Sequence, residues 1–206
     1  MLNFNSPIKG RDLLKKTFNL DFTYIPNIVD SNYFNFITSL KRKEKYKFIN
    51  IANANKNKNQ KLLLQAFYKS FSNKGNIELD LYGGGPELES LRQEVEHLNL
   101  RDRVRLHGFA KREQVLKALQ SADAFVLSSK YETFGVVTIE AMSCGLPVVS
   151  TKCSGPESII NSNDLGILVE NDDLDSLALG MKKVYETTYD STVIRKYAVD
   201  NFSEEV

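Results

Sequence analysis

Apolar positions along the chain follow two rhythms that alternate from one end to the other. Short compact runs at Lys47 to Ala52, Ile77 to Tyr82, Val104 to His107, Ala124 to Leu127, Leu146 to Ser150 and Gly166 to Val169 predict buried strands. Between them lie stretches with the helical period. Gln60 to Phe71 carries Leu63, Leu64, Phe67 and Phe71 on one face, and Glu87 to Leu98, Glu113 to Ser121, Asp173 to Tyr185 and Ser191 to Asn201 also read as helices. Before the first strand, Ile8 to Phe18 predicts a short helix, Tyr24 to Asp30 a strand broken by Pro26-Asn27, and Lys41 to Lys47 a solvated charged stretch. Strict alternation of strand and helix predicts an α/β fold, doubly wound, with a mostly parallel six-stranded sheet. The expected organisation is an opening helix and linker over 1–45, a Rossmann-like domain over 46–190, and a C-terminal helix over 191–206 that ends short.

One helical stretch is too apolar for a surface helix: Val136, Val137, Ile139, Ala141 and Met142, with Gly145 as its stop. It follows the strand Ala124 to Leu127 and a polar loop, Ser128 to Tyr131. Within it sits a carboxylate, Glu140, which is expensive to bury without a partner. Val136, Glu140 and Cys144 share a face, which leads toward Glu132 at the helix N-terminus. The free N–H groups of Thr133, Phe134 and Gly135 there form an expected anion site, and Gly135 lets a bulky anion approach the backbone. Carboxylates repel phosphate, so Glu132 and Glu140 are expected to hold hydroxyls. A ligand with both a diphosphate and sugars satisfies both demands.

Composition narrows the setting. Net charge is +1, which argues against general nucleic-acid binding. Cys144 and Cys153 fit no metal spacing and are expected reduced, as in a cytoplasmic protein. His97 and His107 offer no ligand pair, no apolar run approaches a membrane span, and residues 1–20 are polar and Lys-rich rather than a signal peptide. Gly83-Gly84-Gly85-Pro86 after a strand looks like a dinucleotide fingerprint, but Leu88 stands at the third glycine position and no acidic residue closes a second strand. A glycine turn with Pro near the helix start is the structural alternative. Ser154 and Glu157 have capping-box spacing.

Glu132, seven intervening residues and Glu140, inside YETFGVVTIEAMSCGLPVVS, resemble the signature of retaining glycosyltransferases of family 4, nucleotide-sugar enzymes of the GT-B fold. The resemblance runs from about Tyr24 to Val199. It implies that Glu140 holds the ribose hydroxyls, that Glu132 acts at the transferred sugar, and that the amides after Glu132, with Lys58, neutralise the diphosphate. The family carries an Arg where this chain has Asn53, which supplies no charge; Lys56 is the nearest substitute. The resemblance also implies that Gly83 and Gly85 line the donor cleft. At Gly108 and Phe109 it implies backbone contacts to the nucleobase, so that side-chain identity says little about which base. His107 is read as a structural residue at a strand end.

The implied function is retaining transfer of a hexose from a nucleotide-diphosphate sugar to a glycan or lipid-linked acceptor. No metal or cofactor is implied, since lysine and the helix end supply the positive charge. The acceptor would bind through an N-terminal domain that this chain lacks, so the fragment alone is expected to bind donor weakly and turn over little. Family habit places such an enzyme in polysaccharide assembly, in the cytoplasm at the inner membrane face of a bacterium. The alternative is a non-catalytic nucleotide-sugar-binding module of the same fold, and Asn53 is the feature in its favour.

Overall fold

The computed structural model describes residues 27–36 and 44–204. Strands β1 (Tyr46–Ile51), β2 (Ile77–Tyr82), β3 (Val104–Gly108), β4 (Ala124–Leu127), β5 (Val148–Thr151) and β6 (Gly166–Val169) form one sheet in the order β3-β2-β1-β4-β5-β6. Every pairing is parallel. Helices α1 (Gln60–Phe71), α2 (Leu88–His97) and α5 (Leu174–Glu186) cover one face; α3 (Arg112–Ser121), α4 (Val136–Ser143) and α6 (Ser191–Phe202) contribute to the other core. The doubly wound architecture is the expected one, and it fixes a crevice where strand order reverses, between β1 and β4.

Side-chain alternation explains the two layers. In β4, Ala124 and Val126 enter the α1/α2/α5 core, while Phe125 and Leu127 enter the other. A strand buried on both faces has no polar rhythm, which is why β4 reads as a continuous apolar run. α5 lies tight on the sheet: a Cβ at Gly180 would come within 2.5 Å of Val169 Cγ1. α4 stops as expected. Gly145, at φ 79°, takes the left-handed position, its N–H donates to Met142 O, and Leu146 N–H donates to Ala141 O.

Some elements differ from expectation. β5 starts at Val148 rather than Leu146, because Leu146 is consumed in closing α4 and Pro147 has no N–H to give. The loop after β5 meets only a single 3-10 turn, Gly155–Ser158. There the Glu157 carboxylate accepts from Ser154 N–H at 2.8 Å. Residues 27–30 form no strand, and the predicted helix Ile8 to Phe18 and residues Tyr24 to Pro26 lie outside the described residues. The segment 27–36 packs against the domain. Val29 N–H donates to Phe202 O at 2.8 Å, and Phe34 is buried. The Arg195 guanidinium, on α6, donates to Ser31 O, Phe34 O and Ser143 O.

Candidate functional site

Every predicted site residue except Glu140, which lies within α4, sits in a loop or strand end at the C-terminal edge of the sheet. Asn53 and Lys58 follow β1, Gly83 and Gly85 follow β2, Gly108 and Phe109 close β3, and Glu132 to Gly135 follow β4. The loops after β1 and β4 flank the crevice and are clasped together. Lys130 N–H donates to Asn57 O at 2.7 Å, Asn57 Nδ2 donates to Tyr131 O at 2.9 Å, and Ser128 Oγ donates to Lys58 O at 2.8 Å.

The clasp brings Lys58 and Glu132 together. Lys58 Nζ lies 2.6 Å from Glu132 Oε1, and the same oxygen accepts from Ser129 Oγ at 2.6 Å. Two donors on one oxygen fix the carboxylate and leave Oε2 without a donor among the described residues. From behind, Glu132 N–H donates to Cys153 O at 2.8 Å and Gly155 N–H donates to Glu132 O at 3.0 Å. Gly155 is required there: a Cβ would lie 2.3 Å from Phe134 O. Burial pushes the Cys153 thiol up to about 11 and the Cys144 thiol up to about 12, so neither is a nucleophile at neutral pH.

Beyond Glu132 the backbone turns into α4 through Gly135, at φ 91°. No amide from Thr133 to Val137 donates to a described residue; the first paired one is Thr138 N–H, to Gly135 O at 2.8 Å. Consecutive unpaired donors at a helix N-terminus are the geometry that the expected anion site calls for. Phe134 contributes its amide alone, because its ring is buried and packs edge-on against Phe202. Glu140, further along α4, is half-buried, and its carboxylate accepts no hydrogen bond from a described residue. Burial raises its pKa above the ordinary carboxylate value, opposed by the nearby positive charge of Arg112.

The glycine turn has a structural duty. A Cβ at Gly83 would lie 2.0 Å from Ala52 O, and one at Gly85 would lie 2.3 Å from Ala54 O, so both glycines let β2 close against the loop after β1. Asn53 is exposed, and its side chain makes no bond to a described residue. Lys56 does not join Lys58: it lines a separate cleft of about 400 Å³ with Asn55, Glu87, Leu91 and Lys130. His107 stacks flat on Tyr82 at 4.0 Å, which agrees with its structural reading.

Residue-by-residue reading missed Ser129, Asn57, Arg112 and Gly155. Ser129 stood in the polar loop already singled out and Asn57 between Lys56 and Lys58, but only the clasp assigns them partners. Arg112 carries no local signal, since its field on Glu140 is long-range. Among the described residues, no cluster of His, Cys, Asp and Glu is placed to hold a metal ion, and no helix is long and apolar enough to cross a membrane.

Comparison with known proteins adds an independent finding. The sequence model of the family described as glycosyl transferases group 1 matches residues 34–200. The N-acetyl-alpha-D-glucosaminyl L-malate synthase of Bacillus anthracis is 36% identical over 116 residues, which is 56% of this chain and 30% of that protein. A glycosyltransferase of Rickettsia africae superposes with a TM-score of 0.82 at 16% identity, covering 95% of this chain and 57% of that one. The pneumococcal O-GlcNAc transferase GtfA, solved in complex with UDP and GlcNAc, superposes with a TM-score of 0.75 at 18% identity, covering 97% and 42%. These likenesses show the fold. The chain spans well under two thirds of the length of each of these relatives.

Proposed function

The chain belongs to the glycosyl transferases group 1 family, and on that premise we propose that it is the donor-binding half of a retaining hexosyltransferase that uses a nucleotide-diphosphate sugar. The observation that carries this reading is the junction at the strand-order reversal. A fixed carboxylate, a lysine and a row of unpaired amides meet there, with a second carboxylate further along the same helix. In this reading the diphosphate lies on the amides of Thr133 to Gly135 beside Lys58. Glu132 Oε2 takes a hydroxyl of the transferred sugar, and Glu140 takes the ribose hydroxyls. As the sugar leaves, negative charge develops on the diphosphate. Donors already aimed at that charge lower the barrier. Lys58 then exchanges part of its contact with Glu132 for the leaving group. The UDP bound in the pneumococcal neighbour supports a uridine nucleotide as the first donor to try.

The acceptor, a glycan or lipid-linked sugar, would be met by an additional N-terminal domain, and the whole enzyme would work in the cytoplasm at a membrane face. No resident cofactor is proposed. A second reading, a non-catalytic binding module, draws on the neutral, exposed Asn53; donor binding without transfer in a full-length parent would favour it.

Calorimetry tests the site. Lys58→Ala should weaken UDP by about tenfold or more, since charge-assisted hydrogen bonds contribute roughly 1.5–3 kcal/mol, and leave uridine nearly unchanged. Equal losses for both ligands would remove Lys58 from the diphosphate.

A further inference from the structure

The loop after β1 serves two places. Lys58 sends its Nζ to Glu132 in the crevice. Lys56, two residues before it, lines the separate cleft of about 400 Å³. Asn59, Gln60 and Lys61 line that cleft from the start of α1, and Glu87 and Leu91 line it from the start of α2. Its volume suits one small molecule. None of the residues assigned above to the donor lines it.

The α1 end of the cleft is arranged for an anion. No amide from Asn59 to Leu62 donates to a described residue. Asn59 is the residue type that caps such donors, but it stands at φ 51° and gives its Nδ2 to Asp172 Oδ1 at 2.9 Å. No acidic residue occupies the first turn. Lys61 pairs with Glu94 and Lys130 with Asp172, whereas Lys56 pairs with no described residue. The loop that carries Lys56 is held in shape by Asn55, whose Oδ1 accepts from the N–H groups of Asn57 and Lys58 at 3.0 and 3.1 Å.

A second feature is independent of the helix end. Gln60 lines the cleft and is 3% exposed. Its Nε2 donates to Asn50 Oδ1 at 3.0 Å and to Ala52 O at 3.1 Å. These two oxygens use both amide protons and fix which way the amide faces. Neither partner lines the cleft, so Oε1 is the polar side-chain atom that Gln60 turns to it. That oxygen is buried and has no donor among the described residues. A buried acceptor in this state costs free energy that a ligand hydroxyl restores.

We infer that this cleft binds a small phosphate ester that carries hydroxyls, a phosphorylated polyol or monosaccharide, at a site separate from that of the donor. The phosphate lies on the amides of Asn59 to Leu62 beside Lys56. The hydroxyls go to Gln60 Oε1 and to the Glu87 carboxylate. Glu87 repels phosphate, so it sets the orientation: phosphate toward α1, hydroxyls toward α2. A bare anion satisfies the first group of contacts and leaves the second unmade. The inference does not rest on the donor-site reading.

Amide NMR of the isotope-labelled chain tests it, because each amide reports on its own surroundings. At constant ionic strength, α-glycerophosphate should shift the amides of Asn59 to Leu62 saturably. Sulfate, which has the charge without a hydroxyl, should bind there about fivefold more weakly or worse, and glycerol should leave the amides in place. Lys56 is exposed, so Lys56→Ala should fold normally. It should weaken α-glycerophosphate by about fivefold, the charge being partly screened by solvent, and leave UDP affinity by calorimetry unchanged. Lys58→Ala should leave α-glycerophosphate affinity unchanged. If sulfate shifts the same amides as readily, the cleft takes an adventitious ion only and the proposal falls. It falls equally if Lys56→Ala binds α-glycerophosphate as well as the unaltered chain does. Shifts confined to Thr133, Phe134 and Gly135 would send the phosphate to the donor site, overturning the cleft while the donor-site reading stands.

Discussion

Glu140 shows how one residue can be read from sequence and then sharpened by structure. A glutamate in VVTIEAMS is conspicuous because everything around it is apolar. The structure adds that no described residue donates to its carboxylate and that burial raises its pKa, partly offset by Arg112. The sign of the consequence follows from linkage. Between the ordinary carboxylate value of 4.5 and the raised folded value, the folded chain holds more protons than the unfolded one. Stability therefore falls as pH rises through that window and stays reduced above it. Glu140→Gln removes the penalty. Its melting temperature should exceed that of the unaltered chain at pH 8, and the difference should close below the ordinary carboxylate value. On the proposed donor-site reading, UDP affinity should meanwhile fall about tenfold, because the charged acceptor which that reading gives the ribose hydroxyls is gone. A lower melting temperature with unchanged UDP affinity would make Glu140 a core residue rather than a ligand. Glu132 teaches a different lesson. Its place in the signature was legible, whereas its fixation by Lys58 and Ser129 required two loops to meet.

At the scale of elements, what the sequence reveals is what is local. Strand β4 and helix α4 announce themselves by apolar content, and the Gly145 stop by its residue type. β2 is less transparent, since Glu78 and Asp80 are buried in it. Their partners Lys45, Lys47 and Arg105 lie on neighbouring strands or just before them, and the Arg105 guanidinium holds Glu78 down at about 2. Gly155 was invisible for the same reason. Nothing in TKCSGPES says that Phe134, some twenty residues earlier, will lie against that glycine. The contact props the site loop from behind, so it should be felt in both fold and binding. Gly155→Ala drives a Cβ into backbone atoms that cannot swing aside. Overpacking of this type costs about 1–3 kcal/mol, or roughly 2–12 °C for a chain of this size. UDP binding should weaken as the 132–135 loop shifts. An unchanged melting temperature and unchanged binding together would show that this loop relaxes freely.

At the scale of the whole molecule, the segment 27–36 is where sequence pattern is least informative. It reads as a linker because it is short, follows the break at Pro26-Asn27 and shows no regular apolar period. Its role depends on contacts across the length of the chain. Val29 joins the last turn of α6, and Arg195 from that helix fastens Ser31 and Phe34 by their carbonyls. Arg112 lies over the rings of Tyr33 and Phe34 and within 3.7 Å of Asp30. The same arginine places its charge near Glu140. The segment therefore closes the core beneath α3, α4 and α6, and it bears on the site through Arg112. Phe34 is 1% exposed, whereas Ile28 is 52% exposed. Truncating a buried phenylalanine costs about 3–5 kcal/mol, which in a domain of this size lowers the melting temperature by roughly 10 °C. Phe34→Ala should therefore melt well below the unaltered chain, and Ile28→Ala should melt with it. UDP affinity of Phe34→Ala, measured below its melting point, should drop as Arg112 loses the ring it rests on and shifts against Glu140. If both variants melt like the unaltered chain, the segment rides on the domain without supporting it, and the site owes nothing to residues before β1.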